Sequence, residues 1–550
     1  MVAVVVVAEA IKALSGNFDT GDPMGYPIPT GLGTAQKLRE RANRAFSTDA
    51  LWQDLLQDSY EYFLPQRDRF TDRAGGERGQ KKMDRIFDGT AQTAIKQFAS
   101  KIQEQITPIW RRWATFGPSD EIMRLIDRPN VNIDEKEIRE QLEEYAEIVF
   151  DYLNRSNFAT QINEFYLDLA IGTGAMTCEE ADDDDSPIEF NTVPQDTIAL
   201  EEGRMGKIDG VWRKHQIKAR NILEQWPAFL PSEKLQRTID DKPDTKISLL
   251  EGVLKQNGMV HAFVLEEGSQ DLSWYFNYGD TSPFIVGRWA VVAGEVRGRG
   301  PALDVLPDVR SLNKAKEFVL KKAAIDLAGI YTATDDGVTN PYNIRIAPGI
   351  VLPVGSNNSQ NPSIMRLDTS TNLQLAEFEI SELQNNIKTA LFNDMRDPAG
   401  PVRSATEVAI EARDLASRMG SAFGRLQTEV LVPVLQRVAS ILQRRGIIEP
   451  IKIGGKEVAV KFTSPLARAQ DTDDLLAAQQ AYEFTLATAG PEMAQLSFKV
   501  EDFGSFAAEK MGMPSELVRS QSEKQQVAGQ AAQVAQTQME QGKLPQAANQ

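Results

Sequence analysis

Over residues 34–64 the apolar side chains follow a helical pattern. Leu38, Ala42, Leu51, Leu55, Tyr62 and Phe63 interleave with charged residues, and this period predicts helix. The polar, glycine-containing run FTDRAGGERGQKK interrupts it. In MDRIFDGTAQTAIKQFASKIQEQITP, Ala91, Ile95, Phe98, Ile102 and Ile106 share one helical face; Asp88 is placed to cap the start and Pro108 to end the run. IDEKEIREQLEEYAEIVFDYLNRSNFATQINEFYLDLAIG predicts two more helices, with the break near 154–157. From residue 173 to about 292 the period shortens. IEFNTV, DTIALEE, IDGVWRKHQI, MVHAFVLEE, LSWYFNY and PFIVGRWAV read as strands between Gly, Pro and Asp turns, with a helical insert near 219–226. Helical period returns in ALDVLPDVRSLNKAKEFVLKKAAIDLA and again in NLQLAEFEISELQNNIKTALFNDM. Between them, 329–370 is rich in Pro, Asn and Gly and reads as loop and strand.

The longest periodic segment follows a breaker-rich loop, RDPAGPVRSATEVAIEARDL. Pro398, Gly400 and Pro401 stop the preceding helix. Ser404 and Glu407 then form a capping box, in which the serine oxygen accepts an orphan N–H and the glutamate reaches back. Val408, Ala412, Leu415, Met419, Phe423, Leu426, Val430 and Val434 follow as a stripe with a period of about 3.7 residues. Pro433 lies inside that stripe and is expected to kink the helix rather than end it, because the pattern continues through Val438, Ile441 and Leu442. Gly420 and Gly424, one turn apart, leave room for another element to approach. The Gln- and Ala-rich end, from residue 515, favours helix but has little to bury. The N-terminal VAVVVVAEAI is too short to span a bilayer and reads as a strand or an arm.

Composition narrows the function. At 550 residues the chain exceeds one ordinary core, so several parts are expected. A single cysteine, Cys178, excludes an internal disulfide framework and points to assembly in a reducing cytosol. The two histidines, His215 and His261, are far apart in sequence and disfavour a zinc site or a Ser-His-Asp triad. A net charge of -18 is the opposite of a protein that grips DNA through its phosphates. GERGQKK lacks the phosphate-loop spacing and reads as a solvated loop. GEVRGRG reads as a hinge into the next helix. The four aspartates 182–185 lack EF-hand spacing and read as a solvated turn. No catalytic, cofactor or metal site emerges. Lys314, Lys316, Lys321 and Lys322, with Arg310 near the start, make one helix basic. Arg310, Lys314 and Lys321 fall near one face, which is either a solvated surface or, in a symmetric oligomer, stacked basic rings lining a pore.

Four segments together resemble the head-to-tail connector (portal) proteins of short-tailed, T7-like bacteriophages. They are IFDGTAQTAIKQFASKIQEQITPIWRRWATF, GRGPALDVLPDVRSLNK, VRSATEVAIEARDLASRMGSAFGRLQTEVLVPVLQRV and MGMPSELVRSQSEKQQV, and they occur in the family's order. The resemblance implies an α+β, predominantly α-helical portal fold, with wing, stem, clip and crown parts assembled as a ring around a central channel. It implies an N-terminal arm at 1–31 and a wing at 32–300, helical first and β-rich from about 173. Stem helices at 301–328 and 372–395 would flank a clip at 329–371. A tunnel loop at 396–403, a long kinked wing helix at 404–445, a crown at 446–514 and a barrel helix or flexible tail at 515–550 would complete the chain. The loop residues are Arg396, Asp397, Pro398, Ala399, Gly400, Pro401, Val402 and Arg403; Arg310, Lys314 and Lys321 become channel-lining candidates on the stem.

The implied function is a non-enzymatic, cofactor-free homo-oligomer of about twelve subunits at one capsid vertex, assembled in the host cytoplasm and resident in the virion. Double-stranded DNA passes through it without sequence preference. The implied partners are the terminase large subunit, major capsid and scaffolding proteins, the tail adaptor and internal core proteins; no membrane insertion is implied. The N-terminal VAVVVVAEAIKALSG has no counterpart in the resemblance. Another acidic, helix-rich virion scaffold or adaptor without a DNA channel is the alternative, motivated by the long apolar stripe.

Overall fold

The computed structural model describes residues 28–29, 31–67, 85–109, 111–117, 135–183, 185–328, 331–333, 357–358, 361–362, 364–366, 373–393, 417–448, 459–462, 465–498, 503–504 and 506–507. The expectations for 1–27, GERGQKK, most of the clip, the 396–403 loop, the Ser404 and Glu407 cap and the C-terminal tail lie outside these residues. In chain order the principal elements are α1 (Ala35–Asp49), α2 (Gln53–Phe63), α3 (Thr90–Ile106), β1 (Ala114–Gly117), α4 (Glu135–Arg155), α5 (Phe158–Ile171), β2 (Thr173–Glu180) and β3 (Ile188–Thr192). Next come β4 (Ile198–Glu202), β5 (Ile208–Lys218), α6 (Glu233–Asp241), β6 (Lys246–Gln256), β7 (Met259–Glu266), β8 (Trp274–Asn277) and β9 (Phe284–Arg288). After a helical turn at Pro301–Asp304 follow α7 (Leu306–Ala328), β10 (Tyr331–Ala333), β11 (Ile364–Arg366), α8 (Leu373–Ala390), α9 (Ser421–Leu426), α10 (Val432–Arg444), β12 (Ala459–Phe462) and α11 (Pro465–Ser497).

The chain divides into two compact units. In the first, β4 to β8 form a five-stranded antiparallel meander in sequence order, and α1 covers one face. Thr34 caps α1 through its hydroxyl, which accepts from the Lys37 amide, and Ala35, Leu38, Ala42 and Ala45 form the buried stripe. That stripe meets Ala199, Trp212, Leu254, Phe263, Leu265 and Leu272 from the sheet side. One cross-strand row runs Ala199, Trp212, Gly252, Phe263 and Tyr275. Gly252 must lack a side chain, since a Cβ would lie 2.6 Å from the Phe263 ring and 2.8 Å from Trp212. The two rings close over it edge to face, 5.8 Å apart. Arg41 secures α1 to β4 through both oxygens of Glu201, at 2.7 and 2.8 Å, and the Trp212 indole N–H donates to the same carboxylate. On the opposite face Arg213 and Glu251 pair across β5 and β6. His215 Nε2 lies 3.1 Å from Glu251 Oε2, under the edge of Trp226.

The second unit is mostly helical. α3 packs against α5: Ala91, Ile95, Phe98, Ile102 and Ile106 on α3 are all buried, as their spacing predicts, and so are Ile162, Phe165, Tyr166 and Leu169 on α5. The Asp88 cap acts one residue earlier than expected: its Oδ1 accepts from the Thr90 amide at 2.8 Å, while Gly89 occupies the cap position. A buried polar triplet ties α2 to α5. Tyr60 donates to Asp168 Oδ1 at 2.6 Å, and Arg67 Nη2 donates to Asp168 Oδ2 at 3.0 Å. Burial pushes the Tyr60 phenol well above its ordinary value, and the adjacent Asp168 carboxylate adds to that shift. β2 is the middle strand of the sheet β3-β2-β9, whose last two residues, Gly287 and Arg288, belong to this unit. β1 pairs antiparallel with β12, Ala114 opposite Phe462, bringing residues nearly 350 positions apart into one ladder. Burial pushes the Cys178 thiol up to about 12, so this side chain is a neutral core residue.

Several expectations need correction. The segment GEVRGRG is more than a hinge. Gly300 donates to Ile171 O and Gly298 to the Thr173 hydroxyl, both at 2.9 Å. A Cβ on Gly298 would lie 2.4 Å from Gly172 O. Two backbones cross there too closely for any side chain. The long periodic segment is not one regular helix. Gly420, at φ 49 and ψ -122, separates the helical turn at 417–419 from α9, and a π-helical turn occupies Gln427–Leu431, directly before α10, whose second residue is Pro433. A proline has no N–H to donate and its ring crowds the carbonyl four residues back; a turn of wider hydrogen-bond spacing relieves both. Within the π turn, Glu429 accepts from the Arg288 amide at 3.0 Å and from its guanidinium at 2.6 Å. Among the described residues, a Cβ on Gly424 would meet nothing within 4 Å, so no described element makes the anticipated close approach there. β6, the long central strand, and α6 were not among the predicted elements. Among the described residues no helix is long and apolar enough to cross a membrane.

Candidate functional site

The basic helix α7 begins inside the second unit and then leaves its core. Ala302, Val305, Leu306, Val309 and Leu312 are buried. Asn313 closes this anchored part: its Oδ1 accepts from the Phe87 amide at 2.7 Å and its Nδ2 donates to Arg85 O at 2.8 Å. From Lys314 onward the described side chains are half-buried or exposed, with Phe318 and Leu320 about half uncovered. α8 is anchored at its opposite end. Ile387 and Leu391 are buried, and Gln384 donates to Asp88 Oδ2 at 2.8 Å. Phe392, at φ 58, stops the helix and stacks on Phe98 at 5.9 Å. Phe378, near the other end of α8, is exposed.

Each of four basic residues on α7 has a carboxylate close by. Arg310 pairs with Asp58 of α2. Lys314 donates to Glu317 Oε2 at 2.7 Å, and Lys321 donates to the other oxygen, Oε1. Lys316 acts on Asp88. Partial burial would raise the Asp88 carboxyl, but hydrogen bonds from Thr90 and Gln384, with the charge of Lys316, hold it below its ordinary value. Glu317 is likewise held low, first by hydrogen bonds from Lys314 and Lys321 and then by their charges. Lys314 also lies over the Phe318 ring, 5.0 Å from its centroid. Arg310, Lys314 and Lys321, which fall near one face of the sequence pattern, thus each pair with a carboxylate. The spacing 314, 317, 321 carries the signal for two of those pairs. Asp58 is about 250 residues from Arg310, and no local pattern reveals it.

Among the described residues, no three metal-capable side chains converge. The aspartates at 182, 183 and 185 form an exposed turn in which the Asp185 amide donates to Asp183 Oδ1 at 3.0 Å.

The described residues form a mixed, mostly helical fold with a meander sheet and an exposed helix pair, in a strongly acidic chain. Residues 35–518 match the model of the bacteriophage head to tail connecting proteins, and the chain belongs to that family. It is 23% identical over 526 residues to the "Probable portal protein" of Bordetella phage BPP-1, covering 88% of this chain and 90% of that one. The portal protein of Salmonella phage epsilon15 is 22% identical over 481 residues, covering 82% and 81%. The portal protein of Enterobacteria phage T3 is 23% identical over 199 residues, 36% of this chain and 37% of that one. Among solved structures, a chain from the virion of a native gene transfer agent particle matches 76% of this chain and 97% of its own, at 13% identity and a TM-score of 0.30.

Proposed function

We propose that this chain is the portal subunit of a short-tailed phage. About twelve copies close a ring at one capsid vertex, and duplex DNA enters and leaves through the central channel. The family match across 35–518 carries this reading. In it, α7 and α8 form the stem, 329–371 the clip, and 396–403 a tunnel loop directed at the channel; the wing, the crown at 446–514 and the tail at 515–550 surround them. The terminase large subunit docks during packaging and the tail adaptor later, with capsid, scaffolding and internal core proteins around the ring. The site is the portal vertex of the virion, reached from assembly in the host cytoplasm.

Physical chemistry supports the assignment. A chain of net charge -18 repels phosphate, which keeps a passing duplex centred and unstuck. Phe318, Leu320 and Phe378 leave apolar surface on the stem helices for neighbouring copies to cover. The channel is passive, and ATP hydrolysis belongs to the packaging motor. The test is electron microscopy of the purified protein, together with packaging by a variant shortened across 396–403. Closed rings are expected in both proteins, with packaged DNA length or retention impaired in the variant. A chain that stays monomeric at every salt concentration overturns the portal reading, and unchanged packaging overturns the loop assignment.

A further inference from the structure

We propose that Glu317 masks a latent phosphate-binding face on α7. The inference that DNA is the ligand rests on the portal reading. Lys314, Glu317 and Lys321 occupy one face at spacings of three and four, and the single carboxylate accepts from both ammonium groups, one on each oxygen. The lysine side chains are 59% and 63% exposed, whereas that of Glu317 is 16% exposed. The cations are therefore reachable from solvent and are occupied from beneath. A phosphate that approaches either ammonium meets a carboxylate already hydrogen-bonded to it and must compete with that group. Each ammonium has three donors, so a fleeting second contact remains open. The triplet carries a net +1. Without the carboxylate charge it carries +2, repeated in every subunit of a ring.

A purely structural role is the competing account, since exposed i, i+4 pairs stabilise a helix slightly. Two observations favour the mask. First, one carboxylate is shared by two lysines; pairing with either would already supply the helix-stabilising contact. Second, the carboxylate paired with Arg310 lies on another segment, at Asp58 of α2, and ties α7 to the rest of its unit. Glu317 joins residues of its own exposed helix and holds no other segment by a described bond. Its carboxylate lowers the charge presented to the surroundings. DNA in transit needs contacts weak enough to release at every step, and every phosphate newly held adds to a grip multiplied around the ring.

The test uses the full-length protein. Wild type, Glu317→Gln and the triple variant Lys314→Gln/Glu317→Gln/Lys321→Gln are titrated against a linear duplex and a covalently closed circular duplex, at several NaCl concentrations. Glutamine keeps the helix propensity and the size of the side chain. Glu317→Gln is expected to bind the linear duplex more tightly. Its log K against log[NaCl] slope should steepen by about 0.9 per added phosphate contact, a gain of about 3.5-fold between 200 and 50 mM salt. The triple variant is expected to return to wild-type binding or below. Equal binding by wild type and Glu317→Gln at every salt concentration overturns the mask; rings seen in the same samples would then leave the portal reading intact. Equal tightening on linear and closed circular DNA supports the mask and overturns the placement of this face in the channel, because a closed circle cannot thread a ring. Tightening that survives in the triple variant also overturns the proposal, since the lysines would not be its source.

Discussion

Gly252 lies where the Trp212 and Phe263 rings meet above the backbone of its sheet. A methyl group there would lie 2.6 Å from Phe263 and 2.8 Å from Trp212, so both rings would have to move. Gly252→Ala is expected to destabilise the sheet unit by about 1–3 kcal/mol, the usual cost of overpacking a filled core, read as a lower denaturant midpoint at unchanged slope. The residue's role is invisible in KISLLEGVLKQ, where it reads as an interruption. Only the register that sets Trp212, Gly252 and Phe263 side by side shows why glycine is required. Asp168 is similar: on α5 it is one polar position among apolar ones, and it becomes intelligible when Tyr60 and Arg67 arrive from more than a hundred residues away. A buried carboxylate needs those donors, because an ion without them costs several kcal/mol.

Elements show the same division. The helices α3, α4 and α5 were readable from period and breakers, since burial of one face imposes a 3.6-residue repeat on the sequence. The interruptions of the segment after residue 404 were not. The stripe passes unbroken through Gly420 and the π turn because side-chain period tolerates a local change in backbone hydrogen bonding. Asp88 marks another junction: it caps α3 and accepts from Gln384 of α8. Its carboxyl is depressed when folded. The stability it contributes is therefore complete above the unfolded carboxyl pKa of about 4 and is lost as pH falls through the lower folded value. In thermal melts from pH 6 down to pH 2, Asp88→Asn should lose less stability than wild type below pH 4. Parallel losses in the two proteins would show that the cap has no part in acid sensitivity.

At the scale of the whole molecule, charge is the dominant fact. Each chain carries -18, so the proposed ring of about twelve would hold about -216 before any partner binds. Screening of that repulsion should favour closure. The fraction of chains in rings, measured by mass photometry at fixed protein concentration, is expected to rise as NaCl goes from about 20 to about 150 mM, where the Debye length falls to about 8 Å. A falling fraction would mean that attractive ion pairs between subunits outweigh the net repulsion. The sequence by itself determined the element types in the periodic segments, the acidic balance, the basic character of α7 and the family resemblance, all of which depend on neighbours along the chain. Tertiary structure alone decided that α1 covers a sheet formed by residues 198–277, that β1 pairs with β12, and that Arg310 finds Asp58. Those contacts join positions tens to hundreds of residues apart. They are selected by which buried faces and charges complement one another once the chain is compact, and no local period records that choice.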